Sequence, residues 1–220
     1  MHMDYKRERF DTVISTVSGE ITEKKSRFIA TAFHVESEEE AVSVIGEMKK
    51  KYWDARHNCY AYVIGIDNEI SRFSDDGEPG GTAGRPILDV LKNRGLTNTL
   101  VVVTRYFGGV LLGTGGLVRA YTDATVAALD EGVATGSLKT MCMMQGMRVG
   151  TDYNLSGKVQ YLLSSMGSVV VRNIDYKEDV CFDVVVPVSE AEGTAAKITD
   201  VTNARAVITM GETDYYPLTK

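Results

Sequence analysis

Apolar and polar residues change period repeatedly along this chain of 220 residues, and each change predicts an element. Residues 11–18 and 26–35 read as strands, the second rich in β-branched and aromatic side chains. Ser37-Glu38-Glu39-Glu40 reads as a capping box, with the Ser37 hydroxyl accepting the N3 amide and Glu40 reaching back. Apolar residues then recur at Ala41, Val44, Ile45, Met48 and Tyr52, a helical period. The acidic start of that helix and its Lys49-Lys50-Lys51 end complement the helix dipole. Residues 58–66 predict a strand that turns at Asp67-Asn68. Pro86 suits the first turn of a short helix over 86–93, ended by Gly95. Leu100-Val101-Val102-Val103 is apolar on both faces, which predicts a central strand covered on both sides. Thr114 is placed to cap the following helix, whose stripe is Leu117, Tyr121, Ala124 and Ala128 and whose stop is Gly132.

Beyond a glycine- and serine-containing joint at 132–139, the order becomes β-α-β-β-α-β. Met141, Met143, Met147 and Val149 alternate along a strand, and Leu155, Val159, Leu162, Leu163 and Met166 form a helix stripe. Residues 169–176 and 180–188 make a hairpin across Lys177-Glu178-Asp179. Ser189-Glu190-Ala191-Glu192 reads as a second capping box, before a helix facing inward through Ala191, Ala195 and Ile198. Residues 204–210 close a four-stranded sheet on the ferredoxin-like plan, and 211–220 read as a frayed polar tail. The fold class is therefore α+β in two domains, 1–135 and 136–220.

Composition narrows the function classes. Hydrophobic content of 44% and charged content of 25% are ordinary for a globular chain. Three widely spaced cysteines, Cys59, Cys142 and Cys181, form neither a disulfide framework nor a zinc pattern, which points to a reducing, cytoplasmic setting. The charged start does not read as a signal peptide, and no apolar run reaches the ~18 residues of a membrane span, so no membrane partner is expected. A net charge of −6 argues against extensive wrapping by nucleic acid.

The chemistry concentrates between Ser71 and Tyr121, where two glycine-rich stretches flank the apolar strand. This segment holds six cationic residues against four acidic ones, a weak basic tilt compatible with a phosphate-sized partner. Gly113-Thr114-Gly115-Gly116 precedes a helix, so free amides and the dipole favour an anion, with Arg105, Arg119 and Arg85 nearby. The competing reading is a tight turn whose glycines merely let elements pack; no Walker lysine follows. Ser74, Asp75, Asp76, Glu78 and Thr82 form the other loop, whose carboxylates ligate Mg²⁺, do acid–base work, or serve structure, Asp75 or Asp76 capping a turn and Glu78 pairing with an arginine. No metal, cofactor or catalytic residue is assigned. His57 shares a strand face with Cys59 and is placed to line the same cleft. Tyr106 and Phe107 follow Arg105 and are candidates for base stacking, against the commoner fate of core packing.

The run SDDGEPGGTAGRPIL…VVVTRYFGGVLLGTGGLVRAY, with KKSRFIA at 24–30 and HNCYAY at 57–62, resembles the IMPACT/YigZ family. The resemblance implies an N-terminal domain like the second domain of the fifth small-subunit ribosomal protein. It also implies a C-terminal ferredoxin-like domain similar to the last domain of elongation factor G. Eukaryotic members of the family regulate translation initiation and carry a further N-terminal partner-binding domain that is not expected here. Three functions follow as expectations: an RNA- or ribosome-binding regulator, a protein-binding regulator, and an enzyme on a phosphorylated or carboxylated small molecule. The oligomeric state is not legible.

Overall fold

Strand alternation builds two antiparallel sheets, and the computed structural model describes residues 7–218 in two units, Met1–Thr140 and Met141–Lys220. In the first unit the strands are β1 (Arg9–Val13), β2 (Val17–Glu23), β3 (Ser26–His34), β4 (His57–Ile64), β5 (Ile70–Ser74) and β6 (Thr99–Tyr106). Its helices are α1 (Glu38–Lys51), α2 (Gly84–Asn93) and α3 (Thr114–Thr135). The expected strand over 11–18 is two strands, β1 and β2, and β5 forms an unexpected edge beside β4. Sheet order β2-β3-β6-β4-β5 makes β6 central, as its two apolar faces require. Leu100 and Val102 face Ala41, Ile45 and Met48 of α1. Val101 and Val103 face the other way, toward Ile87 and Leu91 of α2 and Leu117 and Tyr121 of α3. Period two thus sorts one valine run between two cores.

The helix ends differ in detail from expectation. Ser37 caps α1 through the Glu40 amide at 3.2 Å, but the Glu40 carboxylate accepts the Glu36 N–H, one residue further back. Helix α2 begins at Gly84 rather than Pro86, because a carboxylate outside the helix holds its first amides. The cap of α3 is Gly113, not Thr114, and α3 passes Gly132 to end on left-handed Gly136. Gly132 is buried inside α3, where an added Cβ would meet Val17 at 3.4 Å, an ordinary contact, so neither packing nor backbone conformation makes it a stop.

The second unit runs β7 (Leu138–Thr151), α4 (Tyr153–Ser165), β8 (Val170–Tyr176), β9 (Val180–Pro187), α5 (Ala191–Val201) and β10 (Val207–Pro217). The order β10-β7-β9-β8, antiparallel throughout, is ferredoxin-like. Met147, Val149, Phe182 and Val184 pack against Val159, Leu163 and Ile198 of the helices. Met141 and Met143 stay half-buried, while Cys142 and Met144 are buried on the opposite face with Val185 and Tyr216. Ser189 does not cap α5, which follows a short 3₁₀ turn. The supposed frayed tail is instead the second half of β10, paired with β7 beyond an irregularity between Met210 and Thr213. Residues 219–220 lie outside the described residues.

Candidate functional site

The two glycine-rich stretches meet at one end of the first unit's sheet, around a cavity of about 440 Å³. Strand β4 delivers His57 to it, β6 delivers Arg105, and the β6–α3 connection supplies Phe107, Leu111, Leu112 and Gly113. Gly108 makes this connection possible, since a Cβ there would fall 2.0 Å from the Lys25 carbonyl carbon. Gly113 adopts φ +75° and caps α3 without any side-chain bond. The first amides of α3 therefore lack an intrahelical acceptor, and Gly113 and Thr114 line the cavity. Gly115 and Gly116 continue the first turn but lie outside the lining.

The acidic loop is an organised scaffold. Asp75 Oδ1 accepts the N–H groups of Ala83 and Gly84 at 3.0 and 2.8 Å, and its Oδ2 accepts Gly81 N–H at 2.8 Å. Asp76 pairs with Lys49 Nζ at 2.6 Å and accepts the Asn58 N–H at 2.7 Å. Ser74 Oγ accepts the Asp76 N–H, and Thr82 Oγ1 donates to the Pro79 carbonyl. The capping alternative thus describes Asp75, while the Asp76 carboxylate ties the loop to Lys49 of α1 and Asn58 of β4. Among the described residues no group of three or more His, Cys, Asp or Glu side chains is placed to hold a metal ion.

Behind the cavity lies a buried polar chain. Arg105 Nη1 donates to Glu78 Oε1 at 2.6 Å, Tyr121 Oη donates to the same oxygen at 2.8 Å, and Cys59 Sγ reaches Tyr121 Oη at 3.3 Å. Burial pushes the Tyr121 phenol and the Cys59 thiol up from their ordinary values, so both remain neutral donors. Neither is an activated nucleophile. The Arg105 guanidinium lies 5.4 and 5.5 Å from the ring centres of Phe28 and Phe107, and its buried Nε–H has no acceptor among the described residues.

The cationic residues divide by what already holds them. Arg105 is committed to Glu78, and Arg85 pairs along α2 with Asp89 at 2.8 Å. Arg119 is exposed, without an ion pair among the described residues, and outside the cavity lining. Arg56, unforeseen in the sequence, is exposed, has no ion pair among the described residues and lines the cavity. His57 Nδ1 lies 2.8 Å from the Asp76 carbonyl, which can only accept, so Nδ1 donates there and Nε2 has no hydrogen-bond partner among the described residues. Phe107 is half-exposed at the cavity wall, whereas Tyr106 donates its hydroxyl to Asp54 at 2.8 Å. Leu111 and Leu112 were also missed; the signal was an apolar Val110-Leu111-Leu112 run inside a glycine loop, where polar residues are the norm.

Residues 24–129 match the Impact N-terminal domain, and residues 149–205 match a domain of unknown function, DUF1949. IMPACT family member YvyE of Bacillus subtilis is 41% identical over 204 residues, 93% of this chain and 92% of its own. IMPACT family member YigZ of Escherichia coli is 37% identical, over 80% of this chain and 85% of its own. The Protein IMPACT homolog of Dictyostelium discoideum is 43% identical over 97 residues, 42% of this chain and 28% of its own. A crystal structure described as that of an hypothetical protein superposes with a TM-score of 0.58 at 31% identity, covering 94% of this chain and 98% of its own. With both domain types present in order and a full-length relative at 41% identity, the chain belongs to the IMPACT family.

Proposed function

We propose that this protein is a cytosolic, translation-linked regulator that binds RNA, free or within the ribosome, through the cleft of its first unit. The observation that carries the reading is the cavity's composition: the uncapped α3 start at Gly113 and Thr114, Arg56 without an ion pair among the described residues, and a half-exposed Phe107 beside Leu111 and Leu112. Free amides and a cation suit a phosphate, and an aromatic face suits a base. The similarity to eukaryotic proteins named IMPACT supports the link to translation. Titration of labelled single-stranded RNA against the full chain tests it. Saturable binding lost in Arg56→Ala is expected; no binding at low salt by folded protein overturns it.

A second reading, a protein partner, is favoured by Val110 and Leu111, which expose 43% and 83% of their surface next to the cleft. Capture of the same partner from ribonuclease-treated lysate by wild type, and its loss in Leu111→Asp, would favour this reading over the RNA one.

A further inference from the structure

The cavity is sized for one small ligand rather than a length of strand. About 440 Å³ lies within the range of small-molecule sites. Its lining sets polar groups beside an apolar wall of Phe107, Leu111, Leu112 and Leu117. Three α3 amides, N1 to N3, lack intrahelical acceptors; of these the Thr114 amide belongs to a residue of the lining, and Gly113, with no side chain, leaves the way to it open. Glu78 is the one carboxylate in the lining, and both Arg105 and Tyr121 already hold its Oε1. Arg56 has no ion pair among the described residues.

A second observation points to a missing anion. Arg105 lines the same cavity at 6% exposure, and its buried Nε–H has no acceptor among the described residues. A buried guanidinium donor left unused is costly. Fixed cationic donors with an uncapped helix start favour a doubly charged terminal phosphate over a singly charged diester. A terminal phosphate also has a sugar on one side only, which suits a site with one apolar wall.

We infer that the cleft takes a nucleoside 5′-monophosphate unit, its phosphate at the α3 N-terminus beside Arg56 and its base against Phe107 and Leu111. The unit comes either as a free nucleotide or as the 5′ end of an RNA, and the second source rests on the RNA reading above. Recognition is by charge and stacking, so the preference is for the end group rather than for a base sequence.

The test uses the full chain and four probes: a labelled oligoribonucleotide with a 5′-phosphate, the same strand with a 5′-hydroxyl, adenosine 5′-monophosphate, and adenosine. The 5′-phosphorylated strand is expected to bind at least about tenfold tighter than its hydroxyl form, a gap of ~1.4 kcal/mol. Adenosine 5′-monophosphate should compete and adenosine should not. Arg56→Ala should abolish the gap, and Lys92→Ala, an exposed change on α2 outside the cavity, should preserve it. Equal binding of both strands overturns the end-group inference and leaves the RNA reading standing. Binding of the mononucleotide with neither strand bound supports the site and overturns the RNA reading. Binding of no probe by folded protein overturns both.

Discussion

Arg105 and Glu78 meet at 2.6 Å with only 7% and 4% of their side chains exposed, so the cleft is built over a buried ion pair. Residue 78 lies in the glycine-rich loop and residue 105 at the end of the central strand, so the pair ties the loop to the sheet. Such a pair contributes little net stability over an apolar replacement, but breaking one side leaves a buried charge uncompensated. Glu78→Gln should therefore destabilise the first unit by about 3–5 kcal/mol. Glu78→Gln combined with Arg105→Met should cost less than the single change, as read from urea unfolding midpoints. A single change costing no more than the double would mean that the charges are not coupled.

Asp75 stitches the loop through three backbone amides, those of Gly81, Ala83 and Gly84. Its loss leaves the start of α2 without acceptors. Asp75→Ala should cost at least about 2 kcal/mol, since bonds to a charged acceptor are worth more than neutral ones. Hydrogen exchange should quicken first at Ala83 and Gly84. Uniform quickening across the whole unit would mean that Asp75 supports the global core instead.

These two residues show what the sequence could and could not carry. The central strand, the α1 stripe and the βαββαβ order were legible because period two and period 3.6 are local properties. That Glu78 pairs with an arginine was legible as an alternative, but not that the arginine is Arg105, because the two come together only once β4, β5 and β6 pair. Nor was the start of α2, capped by a carboxylate nine residues away in the sequence. Strand β10 was cut short for a related reason: its second half is polar, and main-chain pairing to β7 needs no apolar side chain. In the cleft, the helix start and His57 were readable from glycines and strand phase. Arg56 was not, because nothing in the order of residues says which exposed arginine faces a cavity.

The three thiols should separate by accessibility. Cys59 and Cys142 are buried, and Cys181 is half-buried. Burial also pushes the Cys59 thiol up, so little reactive thiolate forms at neutral pH. Native protein treated with iodoacetamide should be modified at Cys181 well before the other two, with all three reacting after denaturation. Mass spectrometry of peptides reads this directly; early labelling of Cys59 would contradict the closed polar chain behind the cleft.

Alkaline pH should strike the α1 side of the first unit. Burial, together with a hydrogen bond to Glu38 at 2.8 Å, pushes the Tyr62 phenol up to about 12. An unfolded tyrosine loses its proton near 10. The folded state therefore holds the proton more tightly, and this contribution is complete below about pH 10 and lost as pH rises toward 12. Wild type should lose stability over that window, and Tyr62→Phe should lose less of it. Identical pH profiles for the two proteins would place the alkaline sensitivity elsewhere, with Tyr121 the next residue to replace.

Salt should weaken RNA binding only gently. Four arginines, Arg72, Arg85, Arg105 and Arg119, are spread around the two glycine-rich stretches, and if all of them met phosphates the log–log slope would approach 3 in magnitude, at roughly 0.7 per single-strand contact. Two of them are already engaged, Arg105 by Glu78 and Arg85 by Asp89, and Arg72 lies 3.7 Å from Glu38. The cations left for backbone are Arg56 at the cavity and Arg119 on α3, which sets the slope near about 1.4 by the same rule. The remaining affinity should come from Phe107 stacking, worth ~1–3 kcal/mol per base and insensitive to salt. Phe107→Ala should accordingly lower affinity by the same factor at every salt concentration, while Arg56→Ala should flatten the slope. A measured slope well above 3 would require a basic track outside the cleft, in a chain whose net charge is −6.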